Sequence, residues 1–192
     1  KKIFYSLLLL GFLTPFFVLG YFLVGEKYDI STLVNYVPST TTIIYDKNGD
    51  KIANLFDEKH RYYASFEEIP TRVIEALVAI EDTTFFEHSG INFDAIFRAI
   101  IKDVKAGKMV EGASTITQQL VKNKLLTREK KLSRKIKEVI YSVKLEKNLT
   151  KEQILECYLN EIYFGHGYYG IKTAAEGYFH KKLHELTLKE MA

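Results

Sequence analysis

"IEDTTFFEHSG", Ile80 to Gly90, closes the apolar run "VIEALVAI" with two adjacent carboxylates, then two Phe, Glu87, His88 and a Gly. From Thr71 to Asp82 the preceding segment, "TRVIEALVAIED", has apolar residues on nearly every helical face, which predicts a buried helix. A carboxyl held at the edge of an apolar wall is suited to general acid or base work. A solvated helix end accounts for the same pair, and Glu81 with Asp82 alone does not decide between the two. A lone His such as His88 is more often structural. No His-x-x-x-His and no Cys/His cluster appears, so no transition-metal site is expected.

Downstream the pattern stays helical. "FDAIFRAIIKDVKAG" is amphipathic and ends at Gly107, a good C-cap. "EGASTITQQL", Glu111 to Leu120, places Ser114, Thr115 and Thr117 at a helix start, with Thr115 and Gln118 spaced as a capping box. Free N–H groups at such a start favour an anion, above all a phosphate, although an ordinary cap with a polar face would look the same. Gln118 and Gln119 could hydrogen-bond a sugar or an amide. A long basic helix is expected from about Arg128 to Lys147. Thr150 with Gln153 opens "KEQILECYLNEIYF", the small residues of "YGIKTAAEGYF" allow close helix packing, and Thr187 with Glu190 starts a last helix. The aromatic residues of "YLNEIYFGHGYYG", with His166 and Cys157, read as packing rather than chemistry. Upstream, "TTIIYDKNGDKIANLF" reads as two strands around an Asn48-Gly49 turn, and "RYYASF" as a possible third. The domain is therefore expected to be mainly α with a minor β part.

Charge is concentrated. Between Lys122 and Lys151 there are 11 Lys or Arg against 3 Glu, in a chain whose net charge is only +3. A solvated face is the usual meaning of such a run. Within it Arg134, Lys135 and Lys137 surround Glu138, which suits a carboxylate that organises cations rather than one that takes a proton. The N-terminus bears on what the cations meet. Ile3 to Val24 is 22 residues without a charge, about 33 Å as a helix and long enough to cross a bilayer. Lys1 and Lys2 precede it, so the positive-inside rule leaves the remainder outside the cytoplasm. The length of the run and the lack of a small-x-small cleavage site favour an uncleaved anchor over a cleaved signal peptide. That topology argues against a nucleic-acid partner and for a phosphate-bearing lipid head group. The organisation expected is an anchor over 1–25, a linker and hairpin segment over 26–70, and a main domain over 71–192. The missing initial Met and the interrupted last helix suggest a piece of a longer protein. The single Cys excludes an internal disulfide framework.

Five motifs in order, "EDTTFFEHSG" at 81–90, "GASTITQQ" at 112–119, "RKIKE" at 134–138, "ILECYLNEIYFG" at 154–165 and "GYYGIKTAAEGYF" at 167–179, give the chain a family resemblance. From about Thr42 to Ala192 it resembles the glycosyltransferase family 51 module of class A penicillin-binding proteins and monofunctional transglycosylases. That resemblance implies a lysozyme-like, mainly α fold with a hydrophobic jaw that dips into the bacterial inner (cytoplasmic) membrane. It implies polymerisation of lipid II with inversion into β-1,4 glycan strands, for cell-wall synthesis. The growing glycan on undecaprenyl pyrophosphate is the donor, membrane lipid and cell-wall synthesis proteins are partners, and moenomycin is an inhibitor. No cofactor is required, although a divalent cation, magnesium or manganese, helps some members.

Carried onto this sequence, Glu81 is similar to the general base that deprotonates the acceptor hydroxyl, and Glu138 to the second essential Glu, near the donor pyrophosphate. Ser114, Thr115, Gln118 and Gln119 match the substrate-contacting motif. Arg98, Lys122, Lys130, Arg134, Lys135 and Lys137 match its cationic surroundings. Lys130 stands where some members have Arg, which keeps the charge and loses the bidentate fork. Asp82, Phe85 and His88 complete the first motif and shape the site. Two other readings fit a similar set of residues: a lysozyme-like lytic enzyme acting on peptidoglycan, and a non-catalytic scaffold that binds lipid II.

Overall fold

The chain is described by a computed structural model over residues 30–34, 41–55, 61–108, 110, 112–126 and 132–191. The expected anchor over 1–25 and Lys130 lie outside the described residues. A short helix α1 (Ser31–Val34) precedes strands β1 (Thr42–Tyr45) and β2 (Lys51–Leu55). Helices follow as α2 (Thr71–Glu81), α3 (Phe93–Ala106), α4 (Ile116–Leu125), α5 (Leu132–Asn148), α6 (Lys151–Glu161), α7 (Ile171–Phe179) and α8 (Leu188–Met191). The described chain is thus mainly helical, with one two-stranded antiparallel sheet.

Local chemistry sets most of these boundaries. Thr115 accepts from Gln118 N–H while Gln118 reaches back to Thr115 N–H, and Thr150 with Gln153 repeats the arrangement at α6. Gly107 ends α3 in the left-handed region, at φ 65°. In the hairpin, Asp46 Oδ1 accepts from both Asn48 and Asp50 N–H at 2.8 Å, which closes the turn that Asn48-Gly49 predicts. A bulge between Ile44 and Tyr45 shifts the strand register.

The third strand expected at "RYYASF" does not form. Its backbone groups bond helix side chains instead of a neighbouring strand. Tyr62 N–H donates to Thr173 Oγ1 at 2.7 Å, and Ala64 N–H to Asn160 Oδ1 at 2.9 Å. Asn160 Nδ2 returns a bond to the Ala64 carbonyl at 2.8 Å. Arg61 adds a buried ion pair to Glu161 at 2.8 Å. These bonds lace the segment to α6 and α7.

The core gathers on α4, which packs against both α5 and α6. Ile116, Leu120 and Val121 meet Leu145, Ile154, Leu155, Tyr158 and Leu159 there. Cys157 belongs to this core, as its structural reading requires, and burial pushes its thiol up to about 11. The burial expected of α2 does not hold. Val73 is its one buried residue, and Ile80 is 74% exposed. The helix α3 departs further from expectation. It buries Ala95 and Ala99, while Phe93, Phe97, Ile100 and Val104 lie outside, each more than half exposed. An amphipathic stripe ordinarily faces the core; here the bulky side of the stripe faces away from it.

Candidate active site

The turn after α2 is fixed by the side chains of its own motif. Asp82 is buried and takes His88 Nε2 at 2.9 Å and Ile116 N–H at 3.1 Å. Gly90 N–H donates to His88 Nδ1 at 3.1 Å. Nδ1 is therefore the acceptor, and the proton sits on Nε2, pointed at Asp82. Phe85 is fully buried beneath this turn, with the Lys151 ammonium 4.3 Å from its ring centroid. Lys151 also donates to the His88 carbonyl at 2.7 Å and pairs with Glu146 at 2.6 Å. Thr115 Oγ1 donates to the Gly90 carbonyl at 2.9 Å, which locks the turn to the start of α4.

These bonds correct the reading of the α4 start as a phosphate site. The anion that the helix terminus favours is Asp82, supplied by the protein itself. Thr117 Oγ1 donates to Glu146 at 2.6 Å, and Thr115 is taken up by its cap and by Gly90. Of the three hydroxyls Ser114 alone is left to a ligand, and it accepts from Lys135 Nζ at 3.2 Å.

A cleft of about 370 Å³ opens between the end of α2, the start of α3 and the segment before α4. Glu81, Asp82, Asn92, Arg98, Ser114 and Thr115 contribute its polar lining, and Ile80 and Val110 its apolar rim. Glu81 is exposed there, rather than desolvated at an apolar wall, and the buried member of the acid pair is Asp82. Gln119 Nε2 donates to Glu81 Oε2 at 2.8 Å. Lys135 ties the cleft to Glu138: its ammonium contacts the Glu138 carboxylate and Ser114 together, and Glu138 itself is buried. One polar surface therefore carries an accessible carboxylate at one end, with Arg98 and the Ser114–Lys135–Glu138 chain beyond it.

The two Gln differ. Gln118 is 1% exposed with its oxygen in the capping box, so it lies outside the cleft lining that the sequence reading gave it. Gln119 is the one that reaches the carboxylate. Asp82, Phe85 and His88 build the turn rather than present groups to a ligand. Lys122, Arg134 and Lys137 are half-buried and outside the cleft lining. Two residues that the sequence reading passed over belong to the site. Asn92 caps α3, bonds Thr84 at 2.6 Å and lines the cleft. Tyr158, read as packing, donates its hydroxyl to Gln119 Oε1 at 3.2 Å. Its single signal in the sequence is a phenol in an otherwise buried stretch of helix, since a buried tyrosine hydroxyl needs a partner.

Known proteins resemble this chain closely. A family model described as Transglycosylase matches residues 48–192. The chain is 44% identical over 186 residues to penicillin-binding protein 1F of Bacillus subtilis, a match that covers 97% of the chain and 25% of that protein. It is 46% identical over 164 residues to penicillin-binding protein 1A of Aquifex aeolicus, covering 85% and 22%. With penicillin-binding protein 1A of Rickettsia typhi the identity is 42% over 194 residues, covering 100% and 24%. The chain spans about a quarter of the length of these curated relatives.

Proposed function

The chain belongs to the transglycosylase family, and from that premise we propose that it is a peptidoglycan glycosyltransferase that polymerises lipid II into β-1,4 glycan with inversion. Glu81 takes the proton from the 4-hydroxyl of the incoming N-acetylglucosamine, and that oxygen bonds to the anomeric carbon of the donor. The bond from that carbon to undecaprenyl pyrophosphate breaks, and the leaving group carries off the electron pair. A pyrophosphate needs little protonation, so Arg98 and Lys135 stabilise its developing charge directly. Glu138 holds Lys135 in place for that task. The lysozyme-like arrangement implied by the family resemblance belongs to the same reading.

The observation that carries this is an accessible carboxylate, Glu81, held by Gln119 at a cleft that also holds the Arg98 guanidinium and Ser114, which accepts from Lys135. The cleft rim carries two exposed apolar side chains of its own, Ile80 and Val110, 74% and 51% exposed, and α3, which contributes Ala95 and Arg98 to the lining, has an exposed apolar face elsewhere on its surface. A lipid-linked substrate is delivered from a membrane surface. The apolar face lies against the outer leaflet, with residues 1–25 as a single-pass anchor and the domain outside the cytoplasm. A magnesium or manganese ion, where one is used, would be held by Glu81 together with the pyrophosphate of the substrate. Of the two carboxylates on the cleft, Asp82 is taken by His88 and Ile116, which leaves Glu81 alone.

Polymerisation of fluorescent lipid II by the detergent-solubilised chain, with and without moenomycin, tests the proposal. Glu81→Gln keeps the size and the bond to Gln119 in outline and removes the base, so glycan synthesis falls by about 10²-fold or more in a folded protein. Polymer at the parental rate from folded Glu81→Gln would remove Glu81 from the mechanism. Soluble muropeptides from purified sacculi would replace polymerisation with lysis.

A further inference from the structure

Glu81 is the last residue of α2, it is exposed, and its side chain has three rotatable bonds. A base that swings through its rotamers spends little time in line with an acceptor hydroxyl, and a misplacement of about 1 Å can cost 10²-fold in rate. Something must hold it. The carboxylate stands between two cavities, the polar cleft and a smaller apolar one of about 160 Å³ lined by Val73, Leu77, Tyr158, Leu159 and Ile162. The side-chain group bonded to it is the Gln119 amide, at 2.8 Å.

That amide has one orientation that satisfies both of its neighbours. A carboxylate only accepts, so Nε2 faces Glu81 and Oε1 faces away. Oε1 then needs a donor, and Tyr158 OH supplies it at 3.2 Å. The phenol cannot default on this bond. Burial, and then the negative charge of Glu81, push it well above its usual range, so it keeps its proton. Its ring is 1% exposed in the core between α4 and α6. The hydroxyl is thus held by a ring packed into the core, and the bond carries that order through Gln119 to Glu81.

We infer that Tyr158 is a positioning residue for the general base, acting through Gln119: the Tyr158–Gln119–Glu81 chain fixes the rotamer in which the carboxylate meets the acceptor. This rests on the reading of Glu81 as the base. Tyr158 touches no substrate. Its loss lets the Gln119 amide turn and frees the Glu81 side chain, with nothing removed from the cleft itself.

A double-mutant cycle on lipid II polymerisation by the full chain tests this, with rates taken per folded molecule counted by near-UV circular dichroism. Tyr158→Phe keeps the ring and removes one hydrogen bond, so kcat falls roughly five- to tenfold with KM for lipid II unchanged. Gln119→Met lowers kcat at least as far, and adding Tyr158→Phe to Gln119→Met lowers it no further. Gln119→Asn keeps an amide but not its reach, and falls to the same level as Gln119→Met. The inference is overturned by an unchanged kcat in Tyr158→Phe, by a full additional loss on the Gln119→Met background, or by a parental rate in Gln119→Asn. Should Glu81→Gln keep the parental rate, the base assignment fails instead, whatever the cycle gives.

Discussion

The turn over 82–90 and the helix α3 that follows it are neighbours in sequence and opposite in construction. In the turn an aromatic residue is buried completely, and the acid, the imidazole and the glycine each have a bonded partner. In α3 two alanines are buried and the large apolar residues are exposed. The difference separates two uses of apolar residues in one motif region. Phe85 stabilises the fold, whereas Phe93, Phe97 and Val104 add nothing to the core and are available to a surface outside the protein. On the function proposed above, a site that works at a membrane would use both: a turn fixed by protein contacts, and an exposed apolar face left for lipid.

The largest break in that comparison comes from Gly90. Its φ is +93°, and a Cβ there would sit 2.9 Å from the Ser142 carbonyl carbon and oxygen in α5. Backbone of α5 cannot give way as a side-chain tip can, and the left-handed conformation adds its own strain. Gly90→Ala is expected to cost at least about 2 kcal/mol of unfolding free energy, read by chemical denaturation. A variant as stable as the parent would show that the turn is not clamped against α5, and the contrast with α3 would collapse.

A gentler change sharpens the other half. The chain has no Trp, so Phe97→Trp and Val104→Trp are single reporters placed on sites 67% and 76% exposed. Stability should move by no more than about 0.5 kcal/mol, because neither side chain is packed. In vesicles containing brominated lipid both reporters should be quenched, while Tyr45→Trp, on the exposed edge of the hairpin, should not. Equal quenching at all three positions, or none at any, would leave the apolar face of α3 without a lipid neighbour.

The same contrast explains what was legible beforehand. Caps and turns are local chemistry, so the boxes at Thr115 and Thr150, the Gly107 stop and the Asn48-Gly49 turn read directly from residue types a few positions apart. The family resemblance rested on motifs of the same local kind. What did not read is what depends on helix rotation or on distant partners. Gln118 and Gln119 are chemically identical, and 100° of helix turns one into the core and the other to Glu81. Asp82 meets Ile116, and Lys151 meets His88, across 34 and 63 residues with no local signal. The burial expected of α2 and the strand expected at "RYYASF" failed for one reason: periodicity states that a segment is apolar but not what it packs against.

The smallest effect isolates burial from hydrogen bonding. Glu190 at α8 repeats at the surface the kind of tie found in the turn. Its carboxylate accepts from Thr187 N–H at 2.7 Å and Thr187 Oγ1 at 2.8 Å, and pairs with Lys181 at 2.8 Å. The Lys181 bond first, and the Thr187 bonds after it, pull its pKa from an ordinary 4.5 down to about 2. A lowered folded-state pKa means that the unfolded chain takes up the proton first. The contribution of this group is therefore complete above pH 4.5 and is lost progressively as pH falls from there through about 2. Because solvent reaches and screens the group, the expected loss is local. Amide protection at Thr187 and in α8 should fade over that window, followed by NMR, while the Thr115 box, built from a Gln that does not titrate, keeps its protection. Glu190→Gln should remove the pH dependence in α8 and leave the melting temperature at neutral pH nearly unchanged. A drop in global stability as large as that of Gly90→Ala would mean that bond geometry alone, and not burial, makes the turn over 82–90 rigid.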